Sequence, residues 1–396
     1  MLYRSADGSG DVSFTGVQLT WFYGLNIFTD DAVVDVEVYA IEMVFVPEGP
    51  FYLGTGRSTN TSNNNDEEFN EFYTQSLIGQ RDIFFEVQSE AEITIADGVA
   101  TLYYYDDGFF GGDQSGPIPA AFPKGFASFY CMKYELTEAQ WVAFFNTLTA
   151  AQRTNMDITD ASGKDSDEIA YGNTVAWFGT GPATTTAPDR AMAYTTIYQN
   201  LAYLDWAALR PLTELEYEKA GRGPVIPVNK EYAWGTSEIY SGGPYVPNND
   251  GTADERITNP GVGVGNAHYF IDISLQRPLR SGIFAASAVN PTRVETGGTF
   301  YGIMEWSGNL WERTITVGDA TGRSFTGNHG DGRLQINGRS NEPSWPDGGT
   351  GLGYGFRGGS FISPSFQLRI SNRNLASRAF NLASEVTGIR GVRTAQ

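Results

Sequence analysis

With one cysteine and two histidines in 396 residues, the side chains that usually run soft-metal or nucleophilic chemistry are nearly missing. Cys131 has no second thiol, so no intramolecular disulfide can form and zinc sites built on two or more cysteines are excluded. Cys131 lies on an apolar stretch and reads as a small buried hydrophobe. His268 and His329 are isolated from each other. His329, within Gly327-Asn328-His329-Gly330-Asp331, reads as a turn residue. Carboxylates are plentiful, but Asp66-Glu67-Glu68 and Asp106-Asp107 sit in polar or turn-like stretches and read as solvated faces rather than a glycosidase pair. No P-loop or nucleophile elbow is present, and Gly261-Val262-Gly263-Val264-Gly265 lacks the strand-loop-helix context of a dinucleotide site. The stretch Ser360–Ser384 is rich in Ser, Asn, Arg, Phe and Leu. Arg369, Arg373 and Arg378 offer rigid donor forks, and Asn372 and Asn374 offer both donors and acceptors. Ser360, Ser363 and Ser365 add hydroxyls, and Phe361 and Phe366 add rigid apolar area, as in antibody loops. Each phenylalanine has burial in a core as its alternative.

These residues need a scaffold, and the composition bounds it. Acidic residues number 46 against 26 basic, a net charge of -20. That balance disfavours nucleic acid and anionic membrane surfaces. Hydrophobic residues at 41% and aromatics at 14% suffice for a packed core and exclude global disorder. The 47 glycines indicate a loop-rich chain with short strands. No run approaches the roughly 20 apolar residues of a membrane span. The N-terminus carries no basic and apolar signal pattern, so the expectation is a cytoplasmic chain or a mature fragment of a longer secreted one.

Period-two alternation from Val12 to Val46 predicts an N-terminal β segment, with 1–41 set apart from 42–396. Arg57–Asn70 reads as a polar loop, and Tyr103–Phe110 as an aromatic, acidic insertion that could wall a site. Thr137 with Gln140 is a capping-box pattern, and Trp141, Phe144, Phe145 and Leu148 follow at helical spacing. A second helix is predicted over Ile197–Leu209, stopping at Arg210-Pro211. A third begins at Thr213, where Glu216 completes another capping box. Trp141, Phe144, Phe145, Leu201, Leu204 and Trp206 are the predicted core of the helical layer.

Several blocks then occur in a fixed order: Glu42–Gly54 (EMVFVPEGPFYLG), Phe129–Phe145 (FYCMKYELTEAQWVAFF), Ala202–Gly223 (AYLDWAALRPLTELEYEKAGRG), Tyr232–Gly235 (YAWG), Tyr301–Glu312 (YGIMEWSGNLWE), Arg357–Phe361 (RGGSF) and Gly388–Arg393 (GIRGVR). Together they resemble the formylglycine-generating enzyme, or sulfatase-modifying factor, family. The resemblance implies an irregular α+β fold of the C-type lectin type, with few short helices and long loops. The family's enzymes oxidise a substrate cysteine at a copper held by thiols shortly after the Gly-Gly-Ser turn. Ser360–Arg369 contains no cysteine, so no copper and no catalysis are expected. The family's calcium loop maps onto Glu305, Gly308, Leu310 and Glu312; the alternative is that Glu305 is exposed and Glu312 pairs with an arginine. A second, weaker calcium loop would fall near Asn266 and Ser281-Gly282-Ile283.

The placement of the C-terminal segment also resembles variable proteins of diversity-generating retroelements. The resulting expectation is a non-catalytic protein that binds a protein or glycan through that segment, extracellular or at a cell surface. A structural subunit of an appendage and a metal-dependent oxidase with a rearranged site are the alternatives. Homo-oligomerisation is left open.

Overall fold

The computed structural model describes residues 14–26, 28–55, 71–77, 80–82, 84–102, 112–271 and 275–395. The predicted polar loop at Arg57–Asn70 and the aromatic insertion at Tyr103–Phe110 lie outside these residues. The chain divides into two compact units, Met1–Ile41 and Glu42–Gln396.

In the first unit the described residues 14–41 form one 3-10 turn, Tyr23–Asn26, and no strand. Trp21 packs edge-on to Phe28, ring centres 5.5 Å apart. Leu19, Val33, Val36 and Val38 are exposed. Among the described residues of Val12–Val46, the alternation corresponds to a strand only at Met43–Val46. Alternation specifies a face, but a strand also needs a hydrogen-bonding neighbour.

The second unit is of the mixed α+β class the sequence predicts. Its largest sheet has four strands, in the order Met43–Val46, Phe129–Met132, Gly391–Thr394 and Arg210–Pro211. All three pairings are antiparallel. Cys131 pairs with Val44 on one side and Val392 on the other. The first and last blocks of the unit thus meet on one strand, and the thiol is buried as expected. A second sheet has Trp311–Ile315 at its centre, antiparallel to Tyr354–Arg357 and parallel to Thr387–Gly388.

Helices form at Glu138–Thr147, Ile197–Trp206 and Glu214–Arg222, each opened by a threonine in a reciprocal capping box. These caps satisfy two orphan backbone donors each. Trp141, Phe144, Phe145, Leu201 and Leu204 are buried as predicted, whereas Trp206 is half-buried. Phe144 joins the first two helices through ring contacts to Tyr203 and Trp206, at 5.8 and 5.5 Å.

The Glu214–Arg222 helix buries every residue it contains. Glu214, Glu218 and Arg222 recur at four-residue spacing and so share one stripe. That stripe faces a buried ionic network. Glu214 binds Arg357 and Arg373, Glu218 binds Arg357 and Arg222, and Arg222 also binds Glu231. Tyr217 stacks on Trp306 at 4.6 Å and 11°, at the centre of the apolar cluster with Phe129, Cys131, Leu212 and Val392.

Candidate functional site

The C-terminal segment leaves the second sheet at Arg357, makes the Gly358-Gly359 turn and returns at Thr387. Both glycines have positive φ, 89° and 76°. A Cβ at Gly358 would stand 2.8 Å from the Trp306 carbonyl oxygen, so the tight turn needs glycine there. Beyond it, Ser363 Oγ accepts the Ser360 N–H at 3.0 Å, and a 3-10 turn follows at Ser365–Leu368.

A cleft of about 370 Å³ opens between this segment and the second sheet. Trp311, Phe356, Leu375, Phe380 and Val386 provide its apolar lining. Ser363, Gln367, Arg378, Ser384 and Glu385 provide its polar groups. Phe356 lies 6.3 Å from Trp311 and 6.2 Å from Phe380, centre to centre. An apolar cavity with a few convergent polar groups is the usual form of a ligand site.

The residues singled out by sequence divide sharply. Ser363 and Arg378 line the cleft. Ser365, Phe366, Arg369 and Asn374 are half-buried on the same segment. Ser360, Phe361, Asn372 and Arg373 are buried. Phe361 stacks on His268 at 5.7 Å, and the His268 Nε2 lies 2.9 Å from the Arg277 carbonyl oxygen. Asn372 Oδ1 accepts the Asn374 N–H at 3.0 Å. Arg373 is held by both oxygens of Glu214, at 2.8 and 3.0 Å. These four therefore shape the segment from beneath: all are buried, and Arg373 is anchored on a core carboxylate.

Sequence reasoning missed Trp311, Phe356, Leu375 and Gln367 as lining residues. The first two lie on sheet strands and only the pairing of Trp311–Ile315 with both neighbours brings them to the cleft. The two histidines have structural environments. Thr394 N–H donates to His329 Nε2 at 2.9 Å. Burial, with the Arg210 and Arg393 charges, lowers the His329 pKa to about 4 and keeps the ring neutral. Burial also pushes the Cys131 thiol up, away from the thiolate that a soft metal binds.

The loop that resembles the calcium site is strained and carboxylate-rich. Glu305 and Asn309 have φ of 51° and 65°, and Gly308 has 92°. Glu305 Oε1 accepts the Gly282 N–H at 2.9 Å, while its Oε2 is buried without a hydrogen-bond partner. Glu312 Oε1 accepts from Arg390 Nε at 2.7 Å, and its Oε2 is likewise unpartnered. Glu135 stands beside them and accepts from the Asn309 side chain and, at 2.9 Å, from the Leu310 N–H.

Burial pushes the Glu305 carboxyl up to about 7, and burial with the neighbouring Glu312 and Glu305 charges holds Glu135 well above the usual carboxylate range. Two orphaned carboxylate oxygens match the hard donors calcium takes. Among the described residues no three His, Cys, Asp or Glu side chains converge on one point, so backbone carbonyls would have to complete the shell. The pairing of Glu312 with Arg390 shows that the arginine alternative is realised at one of its oxygens. The second, weaker loop fits less well. Asn266 spends both ends of its amide on Gly261, Tyr245 and Glu295.

Among solved structures, the chain resembles PvdO from Pseudomonas aeruginosa at 15% identity and a TM-score of 0.38, covering 90% of this chain and 95% of that one. It also resembles Treponema denticola variable protein 1 at 12% identity and a TM-score of 0.39, covering 93% of this chain and 100% of that one. No curated protein matches in sequence. Residues 84–395 match the profile of the sulfatase-modifying factor enzyme 1-like domain, and the chain belongs to that family.

Proposed function

We propose that this protein is a non-catalytic member of its family that binds a protein or glycan in the C-terminal cleft, at a cell surface or in secreted form. The cleft carries the reading: its floor is aromatic and its polar groups come from the segment after the Gly-Gly-Ser turn, where the enzymes that this sequence resembles place their active site. The absence of cysteine from Ser360–Arg369 supports a recognition role, since Cu(I) needs thiolates. Among the described residues no helix is long and apolar enough to cross a membrane.

The test is selection from a displayed peptide library and a glycan array, followed by Ile362→Asp and Arg378→Ala. Both positions line the cleft and are exposed. Binding should fall at least tenfold with an unchanged melting temperature. Ligands that bind both variants as well as the parent chain would sink the reading. Copper-dependent oxidation of a cysteine peptide, abolished by Cys131→Ser, would establish the oxidase reading in its place.

The proposal includes one structural calcium ion held by Glu305, Glu312 and the carbonyls of Gly308 and Leu310. The ion would supply the positive charge that two buried carboxylates need and would pin the loop leading into Trp311. A ligand bound only by the folded state stabilises it by about 2.7 kcal/mol at 100 times its Kd. Excess chelator is therefore expected to lower the melting temperature, and calcium to restore it. An identical melting curve in chelator and in calcium would remove the ion from the account.

A further inference from the structure

A buried charge without a carboxylate partner among the described residues lies under the cleft. Arg313 is buried on the central strand of the second sheet, on the same face as Trp311 and opposite Phe356 across the pairing. Its Nη1 donates to the Phe380 carbonyl at 2.6 Å. Its Nε and Nη2 are buried with no hydrogen-bond partner, and among the described residues no carboxylate pairs with it. Every other arginine of this region that is as deeply buried has one: Arg357 and Arg373 share Glu214, and Arg390 has Glu312.

Burial brings the Arg313 pKa down to about 9, so it remains a cation at neutral pH. An uncompensated buried guanidinium is costly, and the guanidinium carbon lies 4.8 Å from the centre of the Phe356 ring that floors the cleft. Arg378 is exposed at the rim, 5.9 Å from the centre of the Phe380 ring, and makes no ion pair among the described residues. Glu385 also lines the cleft, where its Oε2 accepts from Ser384 Oγ at 3.2 Å. Two guanidinium groups against one carboxylate leave the cleft locally positive on a chain of net charge -20.

We infer that the cleft takes the free C-terminal carboxylate of a peptide ending in an apolar residue, whose negative charge is the counter-ion Arg313 lacks. This rests on the reading of the cleft as the ligand site. The last side chain lies on Trp311, Phe356 and Leu375, and the carboxylate faces Arg378 directly. Arg313 acts from beneath as a positioning charge, through a low-dielectric layer that strengthens its field. The N–H groups along the peptide have Glu385 and Ser384 as acceptors.

Acetyl-Gly-Gly-Leu with a free carboxylate, the same peptide as its amide, and glucuronic acid are titrated by calorimetry against the full chain. The free acid is expected to bind at least tenfold tighter than the amide. Arg378→Ala and Arg313→Met should each cut that ratio severalfold, and Arg313→Met should change the melting temperature little, because the removal of an unpaired buried charge offsets the lost bond to the Phe380 carbonyl. If Arg313→Met fails to fold, Arg378→Ala reads the same ratio alone. Equal binding of acid and amide overturns the carboxylate assignment and leaves the cleft as the ligand site. Preference for glucuronic acid overturns the peptide assignment. If no probe binds, the inference falls, and the cleft is then judged separately by the library and Ile362→Asp.

Discussion

Replacing Glu214 by glutamine is expected to destabilise the fold by about 3–5 kcal/mol, the usual cost of removing one partner from a buried ion pair. Glu214 is fully buried and meets two guanidinium groups, Arg357 at 3.1 Å and Arg373 at 2.8 Å, while also accepting the Val317 N–H at 2.7 Å. The amide keeps the shape but takes a carboxylate charge away from both Arg373 and Arg357, and Arg357 keeps its pair with Glu218. A urea midpoint that falls at constant slope is the readout. The double variant Glu214→Gln, Arg373→Met should cost less than the sum of its single changes, because both changes break the same contact.

Acid should weaken the same contact. Burial alone would raise the Glu214 pKa, but the Arg373 and Arg357 charges overrule it and hold the carboxyl below its usual range. The folded value is lower than the unfolded one, so this stabilisation is fully present above the unfolded pKa. It is lost as pH falls through the folded pKa. The parent chain should therefore lose stability on acidification below about pH 4 more steeply than Glu214→Gln. Parallel pH curves would show that Glu214 does not carry this contact.

Gly355→Ala is the second change with a large expected effect. Gly355 lies in the Tyr354–Arg357 strand, and a Cβ there would stand 1.7 Å from the Ala376 carbonyl oxygen. Backbone cannot swing aside as a side chain can, so residues 375–377 must move. That movement breaks the 2.9 Å bond from Phe356 N–H to the Leu375 carbonyl and shifts Leu375 on the cleft wall. Overpacking a core costs about 1–3 kcal/mol, and the upper end is expected here. The urea midpoint should drop and hydrogen exchange at Phe356 should rise. Gly24→Ala, where a Cβ meets nothing within 4 Å, is the control, with a change within about 0.5 kcal/mol. Equal midpoints for the two variants would mean that the close approach is not real.

Much of this was legible in the sequence. The threonine caps at 137 and 213 start helices because a hydroxyl and a partner side chain satisfy backbone donors locally, within four residues. Ordered motif blocks from Glu42 onward marked the family, the burial of Trp141 and Phe144 followed from apolar periodicity, and that of Cys131 from a lone thiol's behaviour as a small hydrophobe. The lack of thiols after the Gly-Gly-Ser turn was a matter of composition alone.

Tertiary structure decided the rest. The alternation across 1–41 looked like sheet, but pairing is a non-local event, and no strand forms among the described residues 14–41. Glu214, Glu218 and Arg222 would pass for a solvated helix face; they are buried because Arg357 and Arg373, more than 130 residues away, arrive with matching charge. The same arrival takes Arg373 out of the binding segment and into the core, while Trp311 and Phe356 come into the cleft from a sheet whose register no local pattern specifies. A residue's type sets which partners it can accept, but only the fold determines whether such a partner comes within reach. Arg313 is the clearest case, a surface-type residue held under aromatic rings with no carboxylate beside it among the described residues.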